Sequence, residues 1–149
     1  MTDRPTARDT AALIDLMWLV MRRIWDHAEQ RLAPYSLSLK HNWALHALDE
    51  PMSMSALADR LGIDASYVTT IADQLEERGL IERQPHLTDR RVKSLALTGE
   101  GRWLREKLAD ELWVDVPVLD ALTTDERQEL WRLLSRTAEG DRGAEPTRP

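Results

Sequence analysis

Two groups of side chains in this sequence have the types and spacing to hold a polyanion. The first is Asp89-Arg90-Arg91, set between two short apolar runs. Arginines at a hairpin tip fit the narrow, electronegative minor groove of a DNA duplex, and the neighbouring carboxylate can orient one guanidinium by a bidentate pair. Lys93 adds a cation for a phosphate. The second group is Ser66, Tyr67, Thr69, Thr70 and Gln74. Helical spacing puts them on the outer side of residues 65–78, while Val68, Ile71, Ala72 and Leu75 share the inner side.

The chemistry of that outer side is base-edge chemistry. Threonine donates, accepts or touches a thymine methyl, glutamine pairs with adenine, and tyrosine reaches a phosphate or stacks. No arginine or lysine stands on this face, so the bidentate arginine–guanine contact is missing and each good contact discriminates by about 1–3 kcal/mol. The basic tip must then supply much of the charge. Lys40 and His41, at the start of an earlier helix, are two more candidates for phosphate.

The elements that must hold these groups are legible in order. Ser53 caps a short helix with Leu57, Ala58 and Leu61 inward, Gly62 makes a turn, Asp64 caps the next helix and Gly79 closes it. That order of helix, glycine turn and helix is the spacing of a helix-turn-helix. Residues 80–84 and 92–97 read as a two-stranded wing, the second strand alternating Val92, Ser94 and Ala96 against Lys93, Leu95 and Leu97. Upstream, residues 9–32 carry a broad apolar stripe at helical spacing, Pro34 ends it, and Ser38 caps a helix over 39–48 with Trp43, Ala44 and Leu48 on one face. Downstream, Thr98 opens a helix with Leu104, Leu108 and Leu112 inward until Pro117, and Thr123 to Glu126 form a capping box for a last helix through Trp131 and Leu134.

Composition sets outer limits. The chain has 149 residues, 42% of them hydrophobic, enough for one core and one globular unit. It has no cysteine, which excludes disulfides, thiol redox sensing and thiolate metal sites. His27, His41, His46 and His86 show no metal-ligand spacing, so no metal or other cofactor is expected. No apolar run is long enough for a bilayer and the polar start resembles no signal peptide, from which a cytoplasmic location and no membrane partner are expected. The formal net charge of -6 looks wrong for a DNA-binding protein until it is located. Residues 1–99 hold 12 basic and 14 acidic side chains, residues 100–141 hold 6 and 11, and residues 81–93 are basic on balance through Arg83, Arg90, Arg91 and Lys93. A Debye length of about 8 Å screens the distant acids from the wing.

On Leu57-Ala58-Asp59-Arg60-Leu61-Gly62-Ile63, Leu75 to Arg83, and Asp89-Arg90-Arg91 followed by Leu97-Thr98, the chain resembles the MarR family of bacterial transcriptional regulators. The resemblance spans nearly the whole chain. It implies a mainly α fold with a two-stranded β wing: dimerisation helices over 9–34 and 117–139, a winged helix-turn-helix over 35–98 and a connecting helix over 99–116, and the charged, Pro/Gly-rich residues 140–149 read as a disordered tail. It also implies a homodimer on an inverted-repeat operator in double-stranded DNA, most often as a repressor, with Arg91 in the minor groove and Asp89 holding the wing. Where the family often has basic residues in the recognition helix, this chain has Ala65, Thr70 and Gln74.

Many members of that family release DNA when a small aromatic or anionic effector binds between dimerisation helices and winged domain. The residues to consider here are Trp18, Met21, Trp25, His41 and Trp43, since tryptophan and methionine surfaces suit planar lipophilic ligands. The favoured reading of each is core or dimer interface. Two other readings compete. A winged protein that has lost DNA and serves as a protein-interaction scaffold suits the acidic total, but not Asp89, Arg90, Arg91 and Lys93. An enzyme would need a nucleophile elbow, phosphate loop or metal signature, and the sequence has none of these.

Overall fold

The computed structural model describes residues 6–85 and 93–139. Helix α1 (Ala7–Leu32) starts two residues before the expected boundary because Thr6 closes a capping box: its Oγ1 accepts the Asp9 N–H at 3.2 Å and the Asp9 carboxylate accepts the Thr6 N–H at 3.1 Å. Only its C-terminal end enters the core, through Ala28 and Leu32. A 3-10 turn (Ala33–Tyr35) and a left-handed Ser36 lead to α2 (Leu39–Ala47).

The winged unit follows. Strand β1 (Met52–Ser53) runs into α3 (Met54–Leu61), Gly62 takes φ 63° in the turn, and α4 (Ala65–Glu77) ends at Gly79 with φ 69°. Both glycines sit where a side chain would be strained. Strands β2 (Ile81–Pro85) and β3 (Lys93–Leu97) pair antiparallel from Ile81 opposite Leu97 to Pro85 opposite Lys93.

The sheet has three strands and not two, in the order β1-β3-β2. Met52 lies opposite Leu95 and Ser53 opposite Ser94. A two-residue strand is too short to carry a period, so the sequence gives it no signal. Its presence makes β3 the central strand, which also packs against α3 and α5, so Ser94, Leu95, Ala96 and Leu97 are all buried in place of the expected alternation.

The core joins α2, α3, α4, the sheet and α5 through Leu45, Leu57, Val68, Leu75, Ile81 and Leu108. Helix α5 (Gly99–Glu111) is capped by Thr98, whose Oγ1 accepts the Gly101 N–H at 3.0 Å and donates to the Gly79 carbonyl at 2.6 Å. It stops short of the expected 116, because Asp115 turns left-handed at φ 53° and Val116 is extended ahead of Pro117. Pro117 instead opens a short helix, α6 (Pro117–Asp120), against α1. The capping box holds at α7 (Thr124–Glu139): Thr123 N–H donates to Glu126 at 2.8 Å. One expected cap does not form as drawn, since Asp64 stands at the α4 N-cap but its side chain accepts no capping bond.

Candidate nucleic-acid interface

Helix α4 divides as the periodicity requires. Val68, Ile71, Ala72 and Leu75 are buried, and Ser66, Tyr67, Thr69, Thr70 and Gln74 are exposed. The exposed residues are less free than a helical wheel implies. Thr69 Oγ1 donates back to the Ala65 carbonyl at 3.0 Å, and Thr70 Oγ1 to the Ser66 carbonyl at 3.4 Å. With the hydroxyl protons spent, each threonine offers outward an acceptor and a methyl.

The flank of α4 that borders α2 is held by two side chains. The Lys40 ammonium lies over the Tyr67 ring, 4.1 Å from its centroid, so the two form one cationic and aromatic unit at the N-terminal end of α4. Lys40 and Tyr67 also line an open groove of about 630 Å³ with Asp59, Gly62, Ile63 and Asp64 along the turn between α3 and α4. Two helical turns further along α4, His41 Nε2 meets Gln74 Oε1 at 2.7 Å, while His41 Nδ1 receives the Ser38 N–H at 3.1 Å and lies 2.9 Å from Ser38 Oγ. Gln74 is therefore not the unencumbered amide that adenine pairing assumes.

The opposite flank is tied to the wing. Arg83 on β2 donates to Asp73 at 2.5 Å and also to Glu76, both on α4. The bond to Asp73, reinforced by both carboxylates, raises the Arg83 pKa despite partial desolvation. Arg83 thus spends its charge inside the winged unit and leaves the expected basic balance of the wing to Lys93 and the tip. Lys93 is exposed at the base of the tip, opposite Pro85. Asp89, Arg90 and Arg91 lie outside the described residues.

Sequence reasoning missed three fastenings. Arg78 donates to the carbonyls of Ser36, at 2.8 Å, and Tyr35, fixing the end of α4 to the 3-10 turn. Arg60 donates to the Ala47 carbonyl at 2.9 Å and to Asp49 at 2.8 Å, fixing α3 to the end of α2. The third is the Arg83 pair with α4. Each joins residues of different elements, where no periodicity marks a partner.

The five residues considered for an effector are spread over the molecule. Trp18, Met21 and Trp25 stay exposed on α1, Trp43 packs partly buried against the winged core, and His41 is engaged with Ser38 and Gln74. None of them lines the groove beside Lys40.

Residues 45–93 match the model of the MarR family. Over this segment the chain is similar to the MarR family, and its fold is a winged helix-turn-helix. The match runs from the last turn of α2 to the first residue of β3, and so takes in α3, the turn, α4 and β2. The whole fold is similar to AbsC, a MarR family transcriptional regulator from Streptomyces coelicolor, with 26% identity and a TM-score of 0.71 over 96% of this chain and 100% of that one. It also resembles a mutant MarR from E. coli complexed with operator DNA, with 22% identity and a TM-score of 0.73 over 90% of this chain and 99% of that one. A Mycobacterium tuberculosis MarR family protein in complex with p-aminosalicylic acid is similar as well, at 24% identity and a TM-score of 0.69 over 85% of this chain and 98% of that one. Among the described residues no helix is long and apolar enough to cross a membrane, and no three His, Asp or Glu side chains are grouped to hold a metal.

Proposed function

We propose that the protein is a transcriptional regulator that binds an inverted-repeat operator in double-stranded DNA as a homodimer, most often repressing. The observation that carries this reading is α4: a MarR-family recognition helix whose polar residues all face outward, on a frame braced on both flanks by Lys40, His41 and Arg83. Ser66 and Thr70 read base edges in the major groove, with Thr69 beside them. Lys40, Tyr67 and Lys93 contact phosphates. Arg90 and Arg91 enter the minor groove, steadied by Asp89.

Dimerisation brings two copies of α4 to successive major grooves. The apolar faces of α1 and α7 supply the interface. A small aromatic or anionic effector modulates the complex from between the dimerisation helices and the winged unit, with Trp18, Met21 and Trp25 on α1 and His41 and Trp43 on α2 as its candidate contacts. A protein of similar fold was solved with p-aminosalicylic acid, a small aromatic anion of that class.

The test is binding of the purified protein to a labelled fragment of its own upstream region, at two salt concentrations and with excess nonspecific DNA. Tight, salt-sensitive and competitor-resistant binding is expected. Arg91→Ala should weaken it about ten-fold or more with the dimer intact. Unchanged affinity in that variant would remove the minor-groove role, and no specific binding to any sequence selected from random DNA would favour the scaffold reading.

A further inference from the structure

We infer that Arg78 and Tyr35 fix the angle between the recognition helix and the dimerisation arm, and so set which separation of operator half-sites the dimer accepts. This rests on the proposed homodimer on an inverted repeat and deepens it: both are positioning residues for recognition, acting through α4 and α1.

Three helix ends meet at one turn. Helix α1 passes at Leu32 into the 3-10 turn Ala33–Tyr35, α4 stops with Arg78 as its C-cap, and α5 stops at Glu111. The Arg78 guanidinium donates through Nη1 to the Ser36 carbonyl at 2.8 Å and through Nη2 to the Tyr35 carbonyl. Two bonds from one planar fork restrain rotation as a single bond does not, and a cation on carbonyls beyond a helix end lies in the favourable sense of the helix dipole. Tyr35 carries the tie onward, its O–H donating to Glu111 Oε2 at 2.7 Å. Between them Ser36 holds a left-handed φ of 52°, which a serine keeps only where its surroundings over-determine it.

Within one protomer, apolar packing leaves the tilt of α1 to these ties. Its buried residues are Ala28 and Leu32, both near its C-terminal end, and side chains at one end fix a long helix's position better than its direction. The other polar ties from its last turns run from the Leu39 N–H to Glu29 and from Arg31 to the Val114 carbonyl, so they reach α2 and the end of α5 but not α4. Helix α1 is unbroken over 26 residues, roughly 39 Å at about 1.5 Å per residue. A tilt of about 5° at the joint moves its far end by about 3.4 Å, the rise of one base pair. That half carries the exposed Leu13, Leu16, Met17 and Trp18 of the proposed dimer interface. A joint that yields by a few degrees would therefore let two copies of α4 meet half-sites one base pair nearer or further apart.

The test is affinity for duplexes that carry the same selected half-sites as an inverted repeat, at the spacing the parent prefers and at one base pair more and fewer. The parent should favour its own spacing by about ten-fold or more over either neighbour. Arg78→Met keeps the apolar stem but has no donor for the two carbonyls, and Tyr35→Phe loses only the hydroxyl that Glu111 accepts. Both should flatten the preference to about three-fold or less, while keeping the parent's helical circular dichroism and its affinity for a single half-site. Glu111→Gln still accepts the Tyr35 O–H and should keep the parent's preference. Parent-like selectivity in Arg78→Met or in Tyr35→Phe would overturn the inference, as would a loss of affinity equal at all three spacings, which is what mere destabilisation gives. A parent that binds no repeat at any spacing would overturn the DNA-binding reading and the inference with it, a result distinct from a selective parent whose variants are equally selective.

Discussion

His46 and Asn42 sit on α2 in the half-dry interior, and each carries a polar group that burial treats differently. His46 has its pKa lowered, first by desolvation and then by the charge of Arg105. The folded protein therefore disfavours the imidazolium, whereas the unfolded chain takes its proton near pH 6.5. The stability this contributes is complete above about pH 6.5 and is lost as the pH falls through the lower folded value. Denaturation midpoints at pH 7.5 and 5.5 should drop more for the parent than for His46→Gln. Asn42 is 0% exposed, and neither its Oδ1 nor its Nδ2 has a partner among the described residues. An unpaired buried amide costs about 1–3 kcal/mol. Asn42→Leu, similar in size, should raise unfolding free energy by about 1–2 kcal/mol in urea titration. Asn42→Ala should not, because the cavity it leaves opposes the gain.

Between elements, the pairing of β2 with α4 through Arg83 is the contact with the clearest consequence. Asp73 and Glu76 stand on the recognition helix, and without a cation they would present negative charge toward a polyanion. Arg83→Gln should reduce stability by no more than about 1 kcal/mol, since all three side chains keep some solvent. Its effect on DNA binding should be larger, about ten-fold at low salt and shrinking as salt screens the carboxylates. Adding Asp73→Asn and Glu76→Gln should recover most of the loss if repulsion is the cause, and affinity that stays low would assign Arg83 a direct DNA contact instead. The sequence marked the helices that meet here through their apolar period and their Ser53, Gly62, Gly79 and Thr98 boundaries. It could not mark the clamp, because a lone arginine seven residues beyond Glu76 has no period to betray its partner. For the same reason β1 was invisible and Gln74 looked free: two residues make no pattern, and the His41 contact depends on how α2 crosses α4.

At the scale of the molecule, the core is complete without the first half of α1 and without α7. Their apolar side chains are left in solvent, with Trp18 at 62% and Trp131 at 72% exposure and Leu13, Leu16, Met17 and Leu134 beside them. Apolar surface on that scale, on helices at both ends of the chain, is what an interface between copies would cover. Charges placed there should disrupt the proposed dimer while sparing the winged unit, whose core draws on neither the first half of α1 nor α7. Leu16→Glu combined with Leu134→Glu should sediment as a monomer and keep the parent's helical circular dichroism. The DNA consequence separates dimerisation from recognition. In the proposed dimer, two linked recognition helices would meet the second half-site at an effective concentration near the millimolar range, so the monomer should lose about a hundred-fold or more on a full inverted repeat. On a fragment carrying a single half-site it should bind as weakly as the parent does. A variant that stays dimeric would place the interface elsewhere, and a monomer with undiminished affinity for the full repeat would mean that each winged unit reads its half-site independently.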